Sequence, residues 1–144
     1  MASTPADEPV RGGCLCGAVR YELRAPFLRA SVCHCSRCRK HSGSIGGVQG
    51  RVPIEGFTLL SGAEAIEVHR PDGGMAKAFC RHCGSSLFGG TWPDGPEVSI
   101  RFGSLDDDPG IRPQFHTFTD DVPPWDRLAD DGLPRYPAGP SSRH

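Results

Sequence analysis

The seven cysteines of this chain fall into three tight groups whose spacing suits metal chemistry. They read Cys14-Leu-Cys16, Cys33-His-Cys35-Ser-Arg-Cys38 and Cys80-Arg-His-Cys83. Four thiolates complete the tetrahedral coordination of a zinc ion, whereas three leave one position open, as a catalytic zinc site requires. Two pairs and one triplet therefore predict two zinc ions per chain, one in a closed structural site and one in an open reactive site.

Two ways of sharing the thiols between these sites remain open. In the simpler one, the two cysteine pairs hold one ion together and the triplet holds the other. This pairing closes a long loop, at an entropic cost that grows only slowly with loop length. In the other, Cys14 and Cys16 join two thiols of the triplet and the remaining cysteines stay unused. A glycine follows each pair, Gly17 and Gly84, where a small residue lets backbone N–H groups approach the sulfur atoms.

Disulfide bonds are the alternative use of clustered cysteines. An odd number of thiols would leave one unpaired, and C-x-C or C-x-x-C neighbours rarely bridge each other. Residues 1–10 lack the basic and apolar stretches of a secretory signal. We therefore expect a reducing, cytoplasmic location in which the thiols bind metal.

Basic and hydroxyl residues surround the triplet. Arg37, Arg39 and Lys40 flank it, where cations would lower thiol pKa values and attract an anionic substrate. The competing interpretation is that these charges only keep the surface soluble. Ser42 and Ser44 follow in a Gly/Ser loop, and their hydroxyl or N–H groups could stabilise an oxyanion.

The histidines are weaker candidates. His34 lies between two cysteines of the triplet, and because adjacent residues usually point apart we do not expect it to bind the ion. His41 could reach the open position, although a partly exposed loop histidine is the commoner role. His116 is expected on a strand as a surface or packed residue.

Composition favours a small, mainly β domain. The chain has 144 residues, 37% of them hydrophobic, with 19 glycines and 14 prolines, a composition typical of short strands and many turns rather than long helices. The formal net charge of −1 gives no sign of a nucleic-acid partner, and no apolar run approaches the length of a membrane span. A thin core of this kind benefits from a structural metal.

Alternating residues predict roughly seven or eight short strands at antiparallel spacing. The clearest are the alternation of Val19, Tyr21 and Leu23, and a hairpin around Pro71-Asp72-Gly73-Gly74. We expect a disordered N-terminus over 1–11, one zinc domain over 12–136 and a mobile tail over 137–144. The Pro- and Gly-rich stretch from Ala129 onwards already favours mobility.

The three cysteine motifs, at 12–21, 33–44 and 79–88, together with Gly103-Ser104-Leu105-Asp106-Asp107 and Pro124-Trp125, resemble one known family. This is the glutathione-dependent formaldehyde-activating (GFA) family, whose domain is shared with centromere protein V. The resemblance implies a β-tent of small antiparallel sheets stapled by zinc, with little helix. It also implies a structural zinc on the two cysteine pairs and a second zinc on Cys33, Cys35 and Cys38.

The same resemblance implies an activity. Members combine formaldehyde with glutathione to give S-hydroxymethylglutathione, which read in reverse is a carbon–sulfur lyase reaction. The expected partner is a small thiol such as glutathione or its aldehyde adduct, bound beside Arg37, Arg39, Ser42 and Ser44. The alternative is a non-catalytic zinc module that binds a protein or a small thiol. The sequence leaves the oligomeric state open.

Overall fold

The computed structural model describes residues 8–139, which form ten strands, one α-helix and four short 3₁₀ turns. The strands are β1 (Val10–Gly13), β2 (Arg20–Leu23), β3 (Arg29–Cys33), β4 (Gly47–Pro53), β5 (Phe57–Ser61), β6 (Ile66–His69), β7 (Ala76–Cys80), β8 (Ser86–Gly90), β9 (Glu97–Arg101) and β10 (His116–Thr117). The helix is α1 (Ser36–Ser42), and the 3₁₀ turns are Ile54–Gly56, Ala63–Ala65, Phe102–Ser104 and Thr119–Asp121. No helix in the described part of the chain is long and apolar enough to cross a membrane.

The strands form two sheets. The smaller has the order β1-β2-β5, and the larger has the order β10-β3-β4-β9-β8-β7-β6. The prediction of a mainly β chain with little helix is confirmed. The predicted hairpin is also present, because β6 and β7 pair antiparallel on either side of residues 70–75. One strand pair departs from the antiparallel expectation: β10 runs parallel to β3.

The hydrophobic core contains side chains from both sheets. Tyr21 and Leu23 of β2 are fully buried, as the period-2 alternation predicts, and belong to the same cluster as Phe88 of β8. The Phe88 ring contacts Tyr21 edge-on, and the ring centroid of Trp92 lies 4.8 Å from that of Phe88. The two sheets are therefore held together by aromatic packing as well as by any bound metal.

The larger sheet has one apolar face and one polar face. On β9, Val98 and Ile100 join the core, while Ser99 and Arg101 alternate with them and so point to the other side. On β7, Lys77 alternates with the core residue Ala78 in the same way. These polar side chains are nevertheless buried, which means that the second face is also covered. The cysteine triplet lies on that second face.

The described segments next to the two chain ends are held by strand pairing and backbone hydrogen bonds. Residues 1–7 and 140–144 lie outside the described part of the chain, but Val10, expected in the disordered N-terminus, is buried in β1. The stretch after Ala129 is also held: the Tyr136 N–H donates to the His116 carbonyl at 2.9 Å, and the Asp120 N–H donates to the Pro137 carbonyl at 3.2 Å. Backbone hydrogen bonds hold these segments in place. Such bonds do not depend on the side chains, so no hydrophobic pattern in the sequence predicts them.

Candidate metal centres

The two cysteine pairs meet in one cluster. The sulfur atoms of Cys14, Cys16, Cys80 and Cys83 all lie within 4.8 Å of one another. Cys14 Sγ is 3.6 Å from Cys16 Sγ, which is 3.8 Å from Cys80 Sγ. Zinc–sulfur bonds of about 2.3 Å in a tetrahedron place the sulfur atoms about 3.8 Å apart, so this donor set fits zinc. Of the two pairings that the sequence left open, the structure brings the two pairs together.

Each cysteine pair lies in a tight turn, here called a knuckle, that is shaped by the glycine following it. Gly17 and Gly84 adopt left-handed φ values of 85° and 80°, and each N–H donates to the carbonyl of the first cysteine of its pair. The sulfur of Cys14 accepts a hydrogen bond from the Val19 N–H at 3.2 Å. The glycines therefore turn the chain, and a residue further along supplies the N–H that reaches the sulfur.

Ser85 links the two knuckles, a role that sequence reasoning missed. Its hydroxyl accepts a hydrogen bond from the Leu15 N–H at 2.9 Å and lies 3.2 Å from Cys83 Sγ, to which it can donate. The hydroxyl and backbone of Ser85 lower the pKa of the Cys83 thiol to about 5. This contact favours the thiolate, which is the form that binds metal.

The cysteine triplet forms a second cluster, built almost entirely by local structure. Cys33 ends β3, Cys35 is the N-cap of α1, and Cys38 is buried in that helix. Their sulfur atoms lie within 4.8 Å of one another. The Cys35 sulfur accepts from the Cys38 N–H at 3.3 Å, and hydrogen bonds from Cys33 and Cys38 lower the pKa of Cys35. Three sulfur donors in this arrangement fit a zinc ion with one further position available.

Two buried cations that the sequence did not single out lie at the triplet. Lys77 is 5% exposed, and its Nζ is 3.6 Å from Cys38 Sγ. Arg101 is 8% exposed, and its Nη1 donates to Gln49 Oε1 and Ser99 Oγ. Neither forms an ion pair with a carboxylate of residues 8–139. The available signal was a charged residue alternating with apolar residues in a strand.

The basic residues predicted to flank the triplet, Arg37, Arg39 and Lys40, are more exposed than the buried Lys77 and Arg101. The Arg37 guanidinium donates to the Asp72 carbonyl at 2.8 Å, and Lys40 is exposed. Arg39 is half-buried, and its Nε has no hydrogen-bond partner among the described residues. Ser42 donates to the Gly46 carbonyl at 2.8 Å, whereas Ser44 is exposed and donates its N–H to Ser42 Oγ.

No histidine within residues 8–139 belongs to either sulfur cluster. His34 is buried, and its Nε2 lies 2.9 Å from Nδ1 of His116, whose Nε2 lies 2.8 Å from Asp131 Oδ2. His116 is thus a packed residue, one of the two roles expected for it. His41 Nδ1 lies 3.0 Å from Ser86 Oγ, and burial together with the nearby charges of Arg101 and Lys77 lowers its pKa to about 4. His41 is therefore neutral at pH 7.

Two cavities lie near the triplet, although none of its three cysteines lines either one. The larger, of about 660 Å³, lies between the two sulfur clusters and is lined by residues of both neighbourhoods, among them Cys14, Ser42, Gly47, Ser85 and Arg101. The smaller, of about 330 Å³, is lined by Arg37, Lys40, His41, His69, Pro71 and Lys77. Gly47 of the larger cavity and Lys77 of the smaller one both lie beside Cys38, so each cavity comes close to the triplet.

Comparison with known proteins agrees with these motifs. The family model described as glutathione-dependent formaldehyde-activating enzyme matches residues 9–121, which include all seven cysteines. The chain belongs to this family. A protein of Aspergillus flavus is 29% identical to this GFA-family chain over 127 residues, and one of Penicillium rubens is 30% identical over the same length. Both are named "Putative glutathione-dependent formaldehyde-activating enzyme".

Each of these matches covers 83% of the GFA-family chain and 66% of the relative, just under two thirds of the relative's length. Among solved structures, a Rhodobacter sphaeroides protein determined as a Northeast Structural Genomics target is 23% identical, with a TM-score of 0.55. That likeness covers 88% of this chain and 98% of the other, and it shows a shared fold.

Proposed function

We propose that the protein holds two zinc ions and acts as a carbon–sulfur lyase on a thiol–aldehyde adduct such as S-hydroxymethylglutathione. Cys14, Cys16, Cys80 and Cys83 would hold the structural ion, and Cys33, Cys35 and Cys38 the reactive one. The names of the relatives support glutathione and formaldehyde as reactants. At the triplet, zinc would supply Lewis-acid chemistry and favour the deprotonated form of a bound thiol.

The observation that carries this proposal is the three-sulfur cluster, which lies close to two cavities and in contact with the buried Lys77. A purely structural site would gain nothing from an open position next to a cavity. In the synthetic direction, the thiol sulfur bonds to the carbonyl carbon of formaldehyde and the π electrons move to oxygen. The proton lost by the thiol ends on that oxygen. The reverse reaction breaks the same carbon–sulfur bond.

The chain's own residues would bind and orient the reactants. Lys77 lies 3.6 Å from Cys38 Sγ and offsets the negative charge of the thiolates. Arg37 and Arg39 would draw an anionic thiol towards the triplet. Ser42, which lines the larger cavity, and Ser44 would stabilise the developing charge on the aldehyde oxygen. Holding thiol and aldehyde side by side lowers the entropic barrier to their combination.

Exchange NMR with ¹³C-formaldehyde and glutathione tests the activity. The zinc-loaded protein should accelerate interconversion of formaldehyde and S-hydroxymethylglutathione above the uncatalysed rate, and Cys35→Ser should abolish this acceleration while the strands remain folded. Binding of glutathione without any acceleration would instead favour a non-catalytic zinc module.

We also propose a cytoplasmic location. All seven cysteines are free thiols in the structure, and both clusters need reduced sulfur to bind metal. Fluorescent tagging with fractionation would test this, and recovery in an oxidising compartment would contradict it.

A further inference from the structure

Arg101 is a buried cation with only neutral partners. It is 8% exposed and donates to the amide oxygen of Gln49 and the hydroxyl of Ser99. Neutral acceptors satisfy its hydrogen bonds but do not offset its charge, and burying an uncompensated charge is costly. Within residues 8–139 no carboxylate lies within ion-pair distance of it. The site therefore favours an anion that comes from outside the described chain.

The guanidinium group is available on the side of the larger cavity, which Arg101 lines. Both of its hydrogen bonds leave from Nη1, so within the described residues Nε and Nη2 have no bonded acceptor. Nε and Nη2 form one edge of the planar guanidinium fork, the geometry that binds a carboxylate with two parallel hydrogen bonds.

Gly47 connects this fork to the cysteine triplet. A Cβ atom at Gly47 would lie 3.7 Å from Cys38 Sγ and 3.7 Å from Gln49 Oε1, the acceptor of the Arg101 bond. The sulfur and the Arg101–Gln49 pair thus border the same space, which the absence of a side chain keeps open. A small molecule in that space can reach the triplet with one end and the guanidinium with the other.

The contacts of the two buried cations indicate a different role for each. Lys77 contacts Cys38 and balances the thiolates, whereas Arg101 bonds only neutral groups and faces the cavity. We propose that Arg101 binds a carboxylate of the substrate, so that the site selects thiols that also carry a carboxylate. This inference rests on the proposed function and deepens it, because it names the residue that would determine specificity.

Binding measured with zinc-loaded protein by calorimetry tests the carboxylate site separately from the reaction. The probes are S-methylglutathione, which keeps both carboxylates but cannot form a thiol adduct, and S-methylglutathione diethyl ester, in which both carboxylates are esterified. Wild-type protein should prefer the free acid, and Arg101→Gln should reduce that preference about tenfold or more. Arg101→Lys, which keeps the charge and loses the fork, should give an intermediate value.

Arg112→Gln is the matched control, because it removes one positive charge from an exposed ion pair with Asp108 and should leave the preference unchanged. Zinc content and the far-UV spectrum verify folding of each variant. Equal binding of acid and ester by wild-type protein would overturn the inference, as would an unchanged preference in Arg101→Gln. The proposed activity fails on a different result, the absence of accelerated formaldehyde exchange.

Discussion

The two sulfur clusters use similar ligands but are built in opposite ways. The four-sulfur cluster joins Cys14, just after a strand of the smaller sheet, to Cys80, the last residue of a strand in the larger sheet. The three-sulfur cluster lies within six residues, at the end of a strand and in the first turn of the seven-residue helix α1. A metal in the first would hold two distant segments together, whereas a metal in the second would order little beyond its own loop. This difference in ligand origin supports the proposal that the first cluster is structural and the second reactive.

The strongest test of this comparison is Cys80→Ser. Because this thiol is fully buried and its cluster spans both sheets, we expect loss of cooperative folding and of both metals. Thermal unfolding and zinc content measure the result. An unchanged melting temperature with two zinc ions per chain would show that the four-sulfur cluster is not a structural centre.

Cys35→Ser should destabilise the fold less than Cys80→Ser, but it should abolish metal binding at the three-sulfur cluster. Cys35 is only half-buried, and a serine hydroxyl can replace its sulfur as the N-cap of α1. We expect one zinc ion per chain, no exchange activity and a melting temperature within a few degrees of wild type. If this variant unfolds as fully as Cys80→Ser, the distinction between the clusters disappears.

Asp131→Asn tests the hydrogen-bonded chain Asp131–His116–His34, which runs from the surface to the triplet. Asp131 lies 2.8 Å from His116, which contacts His34 between two of the sulfur donors. Groups that hold a ligand loop in place typically change metal affinity by about tenfold or more. Competition with a chelator should show faster zinc loss from the three-sulfur cluster alone; equal loss from both clusters, or from neither, would contradict this role.

Ser85→Ala tests the hydrogen bonds that support the four-sulfur cluster. The substitution removes the hydroxyl that connects the Leu15 N–H to Cys83. A lost hydrogen bond of this kind costs about 1 kcal/mol, so unfolding should become easier and zinc retention at the four-sulfur cluster weaker. Ser44→Ala, at an exposed position, is the control. Identical denaturation curves for the two variants would show that Ser85 does not stabilise the four-sulfur cluster.

The combined change Arg37→Ala and Arg39→Ala should have the smallest effect. Arg37 is exposed and bonds a backbone carbonyl, so its attraction for an anion is screened by solvent and salt. We expect glutathione binding to weaken a few-fold, more at low salt than at high salt, with zinc content unchanged. A loss of binding as large as that caused by Arg101→Gln would show that Arg37 and Arg39, rather than Arg101, form the main anion site.

Sequence spacing predicted which cysteines would lie together, because metal coordination constrains short-range geometry. The alternation at Tyr21 and the turn near Pro71 likewise predicted β2 and the β6–β7 hairpin. By contrast, β3 and β8 were missed, since β3 has no clear alternation and β8 ends in two glycines. Lys77 and Arg101 could not be assigned to the triplet from the sequence, because only the pairing of distant strands brings them there.

The partly buried Trp92, which packs against the core, has a practical consequence. The chain contains two tryptophans; Trp92 packs on Phe88, while Trp125 is 65% exposed. Indole fluorescence shifts to longer wavelength when the ring meets water, so a Trp125→Phe background would leave one emitter that reports on the junction of the two sheets. Emission from that ring followed together with the absorbance of a coloured zinc chelator would give the order in which metal departure and sheet separation occur.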